Sequence, residues 1–122
     1  MKKLFVIPLI ALAAVALASG PAAPVAAATT CQEHFGQLER DTQAVAITAG
    51  KVDRERAGLL KLIEDAEALA ALGKTSDATK KLLDYEVKVD QLDAAGRISA
   101  ESAAQLRADA EATIACLQSS GA

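Results

Sequence analysis

Apolar residues recur at steps of three and four along the chain after residue 30, the spacing that places side chains on one face of an α-helix. No comparable pattern supports β-strands. Four apolar stripes stand out: Phe35, Leu38, Val45 and Ala49; Leu59, Leu62, Ile63, Ala66 and Leu69; Ala78, Leu82, Tyr85, Val89 and Leu92; and Ala103, Leu106, Ala110, Ile114 and Leu117. The four stripes predict four helices.

Two similar stretches separate these stripes, TAGKVDRER at residues 48–56 and AAGRISAES at residues 94–102. Gly50 and Gly96 suit the left-handed conformation that ends a helix. Asp53 and Ser99 are favoured N-cap residues, whose side-chain oxygens accept hydrogen bonds from the first amides of the next helix. Each stretch therefore predicts a helix end, a tight turn and a new helix.

The middle break, GKTSD at residues 73–77, predicts the same event with Gly73 as the helix-ending residue and Thr75 or Ser76 as the cap. Short connections place neighbouring helices antiparallel. We therefore predict two αα-hairpins, roughly residues 32–72 and 75–118, packed as an up-down-up-down four-helix bundle. The repeated turn is compatible both with an internal duplication and with shared turn physics.

The N-terminal stretch has the three parts of a secretory signal peptide. Lys2 and Lys3 precede an apolar run from Leu4 to Ala18, and small residues then continue to Ala28. The run of about 15 residues is shorter than the roughly 20 needed to span a membrane. We predict a signal peptide at residues 1–28, cleaved after Ala28 or alternatively after Ala18, and a single exported domain at residues 29–122.

Cys31 and Cys116 are the only cysteines. Export takes them to an oxidising compartment, where an even pair predicts one disulfide. In an up-down-up-down bundle, the start of the first helix and the end of the fourth lie at the same end. The two cysteines occupy these places, so the predicted topology and the predicted disulfide agree.

The charge balance argues against a nucleic-acid partner. Without Lys2 and Lys3 the chain keeps eleven basic and sixteen acidic residues, a net charge of about −5, and an acidic surface repels phosphate backbones. Phe35 and Tyr85 are the only aromatic residues after the predicted leader, which leaves little for stacking on bases.

Residues 70–114 resemble the second half of a FIMAH domain, a helical module found in secreted bacterial proteins. The resemblance rests on Gly73, on the face from Ala78 to Leu92, on the GRIS turn at residues 96–99, and on Ala103 with Leu106. Residues 45–69 resemble the first half more loosely. The family often has an Asn near the position of Lys80 or Lys81, which this chain lacks. The resemblance implies an accessory or interaction module and brings no catalytic residues.

No catalytic or metal-binding motif is recognisable in the sequence. His34 is the only histidine, and both cysteines are assigned to the disulfide, so nucleophilic catalysis lacks its usual partners. The acidic residues alternate with Lys and Arg, as they do on solvated helix faces. We predict that the protein is not an enzyme and that it holds no metal or cofactor.

Two functional hypotheses remain. The first is a monomeric, extracellular, non-catalytic module that binds the cell envelope, a polysaccharide or an exported protein. Its candidate contact surface is the basic end formed by the first and third loops: Lys51, Arg54, Arg56 and Arg97. The second is a small carrier of an apolar ligand or of haem, held by His34 or Tyr85. Neither hypothesis involves nucleic acid, or a membrane once the leader is removed.

Overall fold

Four α-helices make up nearly all of residues 23–121, the part of the chain that this computed structural model describes; side chains are described for residues 31–120. They are α1 (Ala23–Ala44), α2 (Val52–Ala71), α3 (Thr75–Ala94) and α4 (Ala100–Gly121). Most of the predicted leader, including the alternative cleavage position after Ala18, lies outside the described residues, and residues 23–28 fall in the first turns of α1.

Each helix packs against its neighbour in sequence, and α4 returns to pack against α1. This ring of contacts gives the up-down-up-down four-helix bundle that the apolar stripes and short turns predicted. No strand occurs within residues 23–121. The all-α prediction is confirmed.

The predicted stripes form the core with few exceptions. Eighteen buried residues make one cluster: Phe35, Leu38, Val45, Ile47, Leu59, Ile63, Ala66, Ala78, Leu82, Tyr85, Val89, Leu92, Ile98, Ala103, Leu106, Ala110, Ile114 and Leu117. Leu62 and Leu69 are only partly buried and pack against the edge of this cluster. The stripes therefore identify the correct face of every helix.

The first connection differs from the prediction. Helix α1 ends at Ala44, so Gly50 does not end a helix, and Ala49 is exposed rather than part of the core. Between them, Val45 and Ile47 are buried while Ala46 is exposed. This period of two is typical of extended backbone, in which β-branched residues are favoured. The helical spacing from Val45 to Ala49 was therefore misleading.

The other two helix-ending glycines are confirmed. Gly73 and Gly96 have φ angles of 78° and 71°. In each turn the amide after the glycine donates to the carbonyl five residues earlier, Lys74 to Leu69 at 2.9 Å and Arg97 to Leu92 at 2.9 Å. This hydrogen bond is the mark of a Schellman motif, which satisfies carbonyls at the end of a helix.

Only one of the predicted N-caps is formed. The amide of Ser102 donates to Ser99 Oγ at 3.0 Å, which caps α4 as predicted. Helices α2 and α3 instead begin after Lys51 and Lys74, without a side-chain cap. Asp53 therefore lies within the first turn of α2, where the helix dipole favours its charge. The predictions of Asp53 and of Thr75 or Ser76 as caps were wrong.

The predicted disulfide joins Cys31 on α1 to Cys116 near the end of α4. Their Cα atoms are 5.6 Å apart, and the link closes a sequence separation of 85 residues. It lies at the end of the bundle opposite the first and third loops, as the topology required. In the chain-entropy account, a loop of this length restricts the unfolded chain strongly.

We predict that replacing both cysteines by serine lowers the free energy of unfolding by about 4–5 kcal/mol, measured by urea denaturation. Alkylation of the native protein should leave its mass unchanged without reductant and add two labels after reduction. Two labels in the unreduced protein would contradict the disulfide.

Candidate functional site

Arg97, predicted as a surface contact, instead ties the first and third loops together. Its Nη1 donates to Glu55 Oε2 at 2.6 Å and its Nη2 donates to the Ala49 carbonyl at 2.9 Å. The amide of Thr48 donates back to the Arg97 carbonyl at 2.8 Å. Only 20% of the Arg97 side chain is exposed. Its guanidinium group is therefore occupied within the protein.

Gly50 makes room for this guanidinium group. The residue has a φ of 65°, and a Cβ atom placed on it would lie 2.8 Å from Arg97 Nη2, closer than non-bonded atoms approach. Ala49 also has a positive φ, 62°, which costs energy for a residue with a side chain. The hydrogen bond from Arg97 to the Ala49 carbonyl compensates part of this strain. The loop therefore takes its shape around Arg97.

Arg56 closes the end of α1 in a similar way. Its Nη1 lies within hydrogen-bonding distance of the carbonyls of Thr42 (2.9 Å), Gln43 (3.0 Å) and Val45 (2.8 Å). The last carbonyls of a helix have no partner within it, and a cation there also suits the helix dipole. Arg56 supplies from α2 the cap that α1 lacks.

These contacts correct the predicted basic end. Of its four residues, Arg56 and Arg97 bind the protein's own carbonyl and carboxylate groups, whereas Lys51 and Arg54 are exposed. The sequence signal was misleading because a charged residue beside a turn serves equally well as a surface contact or as a cap. Arg54 stays available for a basic surface, which then has to include cations beyond the predicted four.

Such a surface lies between α2 and α3, and we refer to it as the basic groove. It is a shallow depression of about 490 Å³ lined by Arg54, Ala57, Gly58, Lys61, Leu62 and Lys88. Three cations surround an apolar floor. Lys61 Nζ lies 3.3 Å from Asp65 and Lys88 Nζ lies 3.9 Å from Glu55. Both ion pairs are partly exposed, so they compete weakly with a binding partner.

The sequence held a partial signal for this groove. Arg54, Gly58 and Lys61 are spaced by four and three residues and so share one face of α2. Lys88 belongs to α3, thirty positions beyond Gly58, and its Cε would lie 3.3 Å from a Cβ atom at Gly58. Only the packing of α3 on α2 brings it there.

A second depression lies at the disulfide end of the bundle, and we refer to it as the disulfide-end cleft. It has a volume of about 490 Å³. Its apolar part includes Phe35, Ala70 and Leu117, and Glu67 contributes a carboxyl group. Burial, followed by the negative charges of Glu39 and Glu64, raises the pKa of Glu67 above its usual value. The cleft therefore combines apolar walls with one weakly acidic group.

Tyr85, which the sequence offered as a haem ligand, is a core residue. The residue is fully buried, and its hydroxyl oxygen lies 2.7 Å from Thr42 Oγ1. Thr42 gives its own hydroxyl hydrogen to the Leu38 carbonyl at 2.7 Å, so Tyr85 is the donor to Thr42. Burial raises the pKa of Tyr85 far above the physiological range. Its hydroxyl therefore joins α3 to α1 in its neutral form.

Within the described side chains, no group of three His, Cys, Asp or Glu residues is placed to hold a metal ion. None of the described helices combines the length and apolar character needed to cross a membrane. His34 is half-buried on α1.

Comparisons of the chain with protein-family models, curated proteins and solved structures gave no match.

We predict that Arg97→Gln and Arg56→Gln each lower the free energy of unfolding by about 1.5–3 kcal/mol, because each removes hydrogen bonds from a charged donor to partly buried acceptors. Arg54→Gln, the matched exposed control, should change it by less than about 0.5 kcal/mol. Urea denaturation measures all three. An equal loss in the three variants would contradict the division between internal and exposed arginines.

Proposed function

We propose that the protein is a secreted, non-catalytic helical module that binds an extended anionic polymer of the cell envelope or of a polysaccharide through the basic groove. The observation that carries the proposal is the grouping of Arg54, Lys61 and Lys88 around an apolar floor. Cations of this kind attract anionic groups, and the apolar floor suits the less polar face of a chain lying between them.

The charge distribution favours binding of an anionic partner at the basic groove over binding elsewhere on the surface. The chain as a whole carries more acidic than basic residues, so an anionic partner is repelled by most of its surface. Local positive potential on an acidic protein therefore favours specificity over general adhesion. The resemblance to FIMAH domains, which implies an accessory module, supports the same class of function.

Gly58 supports the assignment of the groove. Glycine inside a helix costs about 0.5–1 kcal/mol relative to alanine, and Gly58 lies within α2 away from any turn. Its missing side chain lets Lys88 approach α2, since an added Cβ atom would lie 3.3 Å from Lys88 Cε. The glycine therefore leaves room for the Lys88 side chain beside the floor of the groove.

The disulfide-end cleft favours a second candidate function, a carrier of an apolar molecule. Phe35, Ala70, Ala71 and Leu117 give the cleft apolar walls, and Glu67 adds a polar end. Mass spectrometry and the absorption spectrum of the protein as purified distinguish this candidate. A co-purified lipid or a Soret band supports a carrier.

We predict that the purified protein co-sediments saturably with isolated cell envelope or insoluble polysaccharide, with affinity that falls as salt rises. The double variant Arg54→Gln/Lys61→Gln should bind about 30-fold more weakly, at roughly 1 kcal/mol for each cation near an anionic surface. The exposed pair Lys74→Gln/Lys80→Gln changes the net charge equally and is the control.

An equal loss in the control pair would show that net charge, and not the groove, governs binding. Binding to an exported acidic protein without binding to any polymer would show that the partner is a protein and not the proposed polymer. Absence of binding to every solid phase would contradict the proposal.

We also predict that the exported protein begins at Thr29, because the small residues Ala26, Ala27 and Ala28 precede it. N-terminal sequencing of protein recovered outside the cytoplasm tests this. A start at Ser19 would support the alternative cleavage position, and an uncleaved protein retained in the cell would contradict export.

A further inference from the structure

Two carboxyl groups meet across the interface between α1 and α4. Asp41 Oδ1 accepts from Gln37 Nε2 at 3.0 Å, and Asp109 Oδ1 accepts from Gln105 Nε2 at 3.2 Å. The remaining oxygens, Asp41 Oδ2 and Asp109 Oδ2, are inaccessible to solvent and have no hydrogen-bond donor. Gln105 brings the two groups into one place, because it donates to Asp109 and lines the same shallow groove as Asp41.

This arrangement needs a proton. A carboxylate only accepts hydrogen bonds, so two ionised groups would leave two neighbouring buried acceptors without a donor and with like charges. One proton placed between the oxygens converts one group into a donor and removes one charge. Both unpartnered atoms are then satisfied by a single hydrogen bond.

We propose that Asp41 and Asp109 share one proton, and that this proton fastens α4 to α1 so that its loss weakens their contact. We refer to the pair as the proton clasp. It is independent of the proposed anionic partner and of the basic groove, since it lies between the other two helices. It makes the stability of the bundle depend on pH between mildly acidic and neutral solution.

The charges around the clasp agree with this assignment. Burial, then the hydrogen bond and negative charge of Asp41, raise the pKa of Asp109 to about 7, with Gln105 opposing the rise. The hydrogen bond from Asp109, followed by that from Gln37, lowers the pKa of Asp41.

The other groups near the clasp come from three helices. The positive charge of Arg40 on α1 also lowers the pKa of Asp41, by less than the hydrogen bonds do. The neutral Tyr85 hydroxyl of α3 lies close enough for both carboxyl groups to affect its pKa. Glu101 of α4 lines the same shallow groove as Asp41. No described contact gives Asp109 a cation to replace the proton.

The direction of the pH dependence follows from these shifts. The folded protein holds a proton on Asp109 that the unfolded chain releases near pH 4, so stability falls as pH rises from about 4 to about 7. The lowered pKa of Asp41 has the opposite effect below about pH 4, where stability falls as pH decreases. The clasp therefore contributes most in mildly acidic solution.

A second carboxyl pair on the other side of α4 acts in the same direction. Burial, followed by Glu111, raises the pKa of Glu86 to about 7, and Asp90 adds to this while Arg107 opposes it. Glu86 is half-buried and Glu111 is exposed, so solvent weakens this pair. A test of the clasp has to separate its effect on the pH dependence of stability from the effect of Glu86.

The test compares thermal unfolding at pH 5 and pH 8 in the wild type and in Asp109→Asn, whose amide can donate to Asp41 without a titrating proton. The wild-type melting temperature should fall by roughly 5 °C more than that of the variant. At pH 8 the variant should be the more stable protein. Adding Glu86→Gln to Asp109→Asn should remove the part of the pH dependence of the melting temperature that comes from the second pair. Asp84→Asn, at an exposed position on α3, is the control and should keep the wild-type slope.

Carboxyl ¹³C NMR titration gives a direct reading, with Asp109 expected to titrate near pH 7. If Asp109→Asn does not fold, Asp41→Asn is the second variant and should flatten the slope in the same way. An unchanged slope in the folded variant, or titration of Asp109 below pH 5, would overturn the proposal.

Discussion

The contact between Arg97 and the first loop is the interaction on which one end of the bundle depends. The guanidinium group binds Glu55 on α2 and the Ala49 carbonyl, so it joins α2, the first loop and the third loop. Several fully buried positions in the core are alanine, including Ala66, Ala78 and Ala110. Small side chains bury less apolar surface than larger ones, which gives added weight to links at the ends. The disulfide provides the link at the opposite end.

The two similar stretches of sequence take different roles around this contact. In the second stretch, Gly96 ends α3 by a Schellman motif and Arg97 turns back toward the first loop. In the first stretch, Gly50 ends no helix and instead accommodates that guanidinium group. Lys51, which corresponds to Arg97, is exposed. Similar residues therefore form two complementary halves of one contact, which weakens any argument for duplication based on the turn alone.

The fold was predictable from sequence because its main determinants are local. Apolar spacing located the helices, Gly73 and Gly96 located two of the turns, and the cysteines agreed with the topology. The internal role of Arg56 was not predictable, because it depends on where α1 ends and on which carbonyls then lack partners. The pairing of Asp41 with Asp109 depends on the relative rotation of two helices distant in sequence. Periodicity fixes the buried face of each helix but not which polar residues meet at its border.

The structure separates the charged residues into two groups by their surroundings. Arg56, Arg97, Asp41 and Asp109 face other parts of the protein and act on its stability, whereas Arg54 and Lys61 face solvent along α2. In the ring of four helices, the α1–α4 interface lies opposite the α2–α3 interface. Loss of the shared proton therefore acts on one side of the bundle while the basic groove lies on the other. Stability and the proposed binding at the groove can consequently vary separately, because no described hydrogen bond or ion pair connects the clasp to the groove.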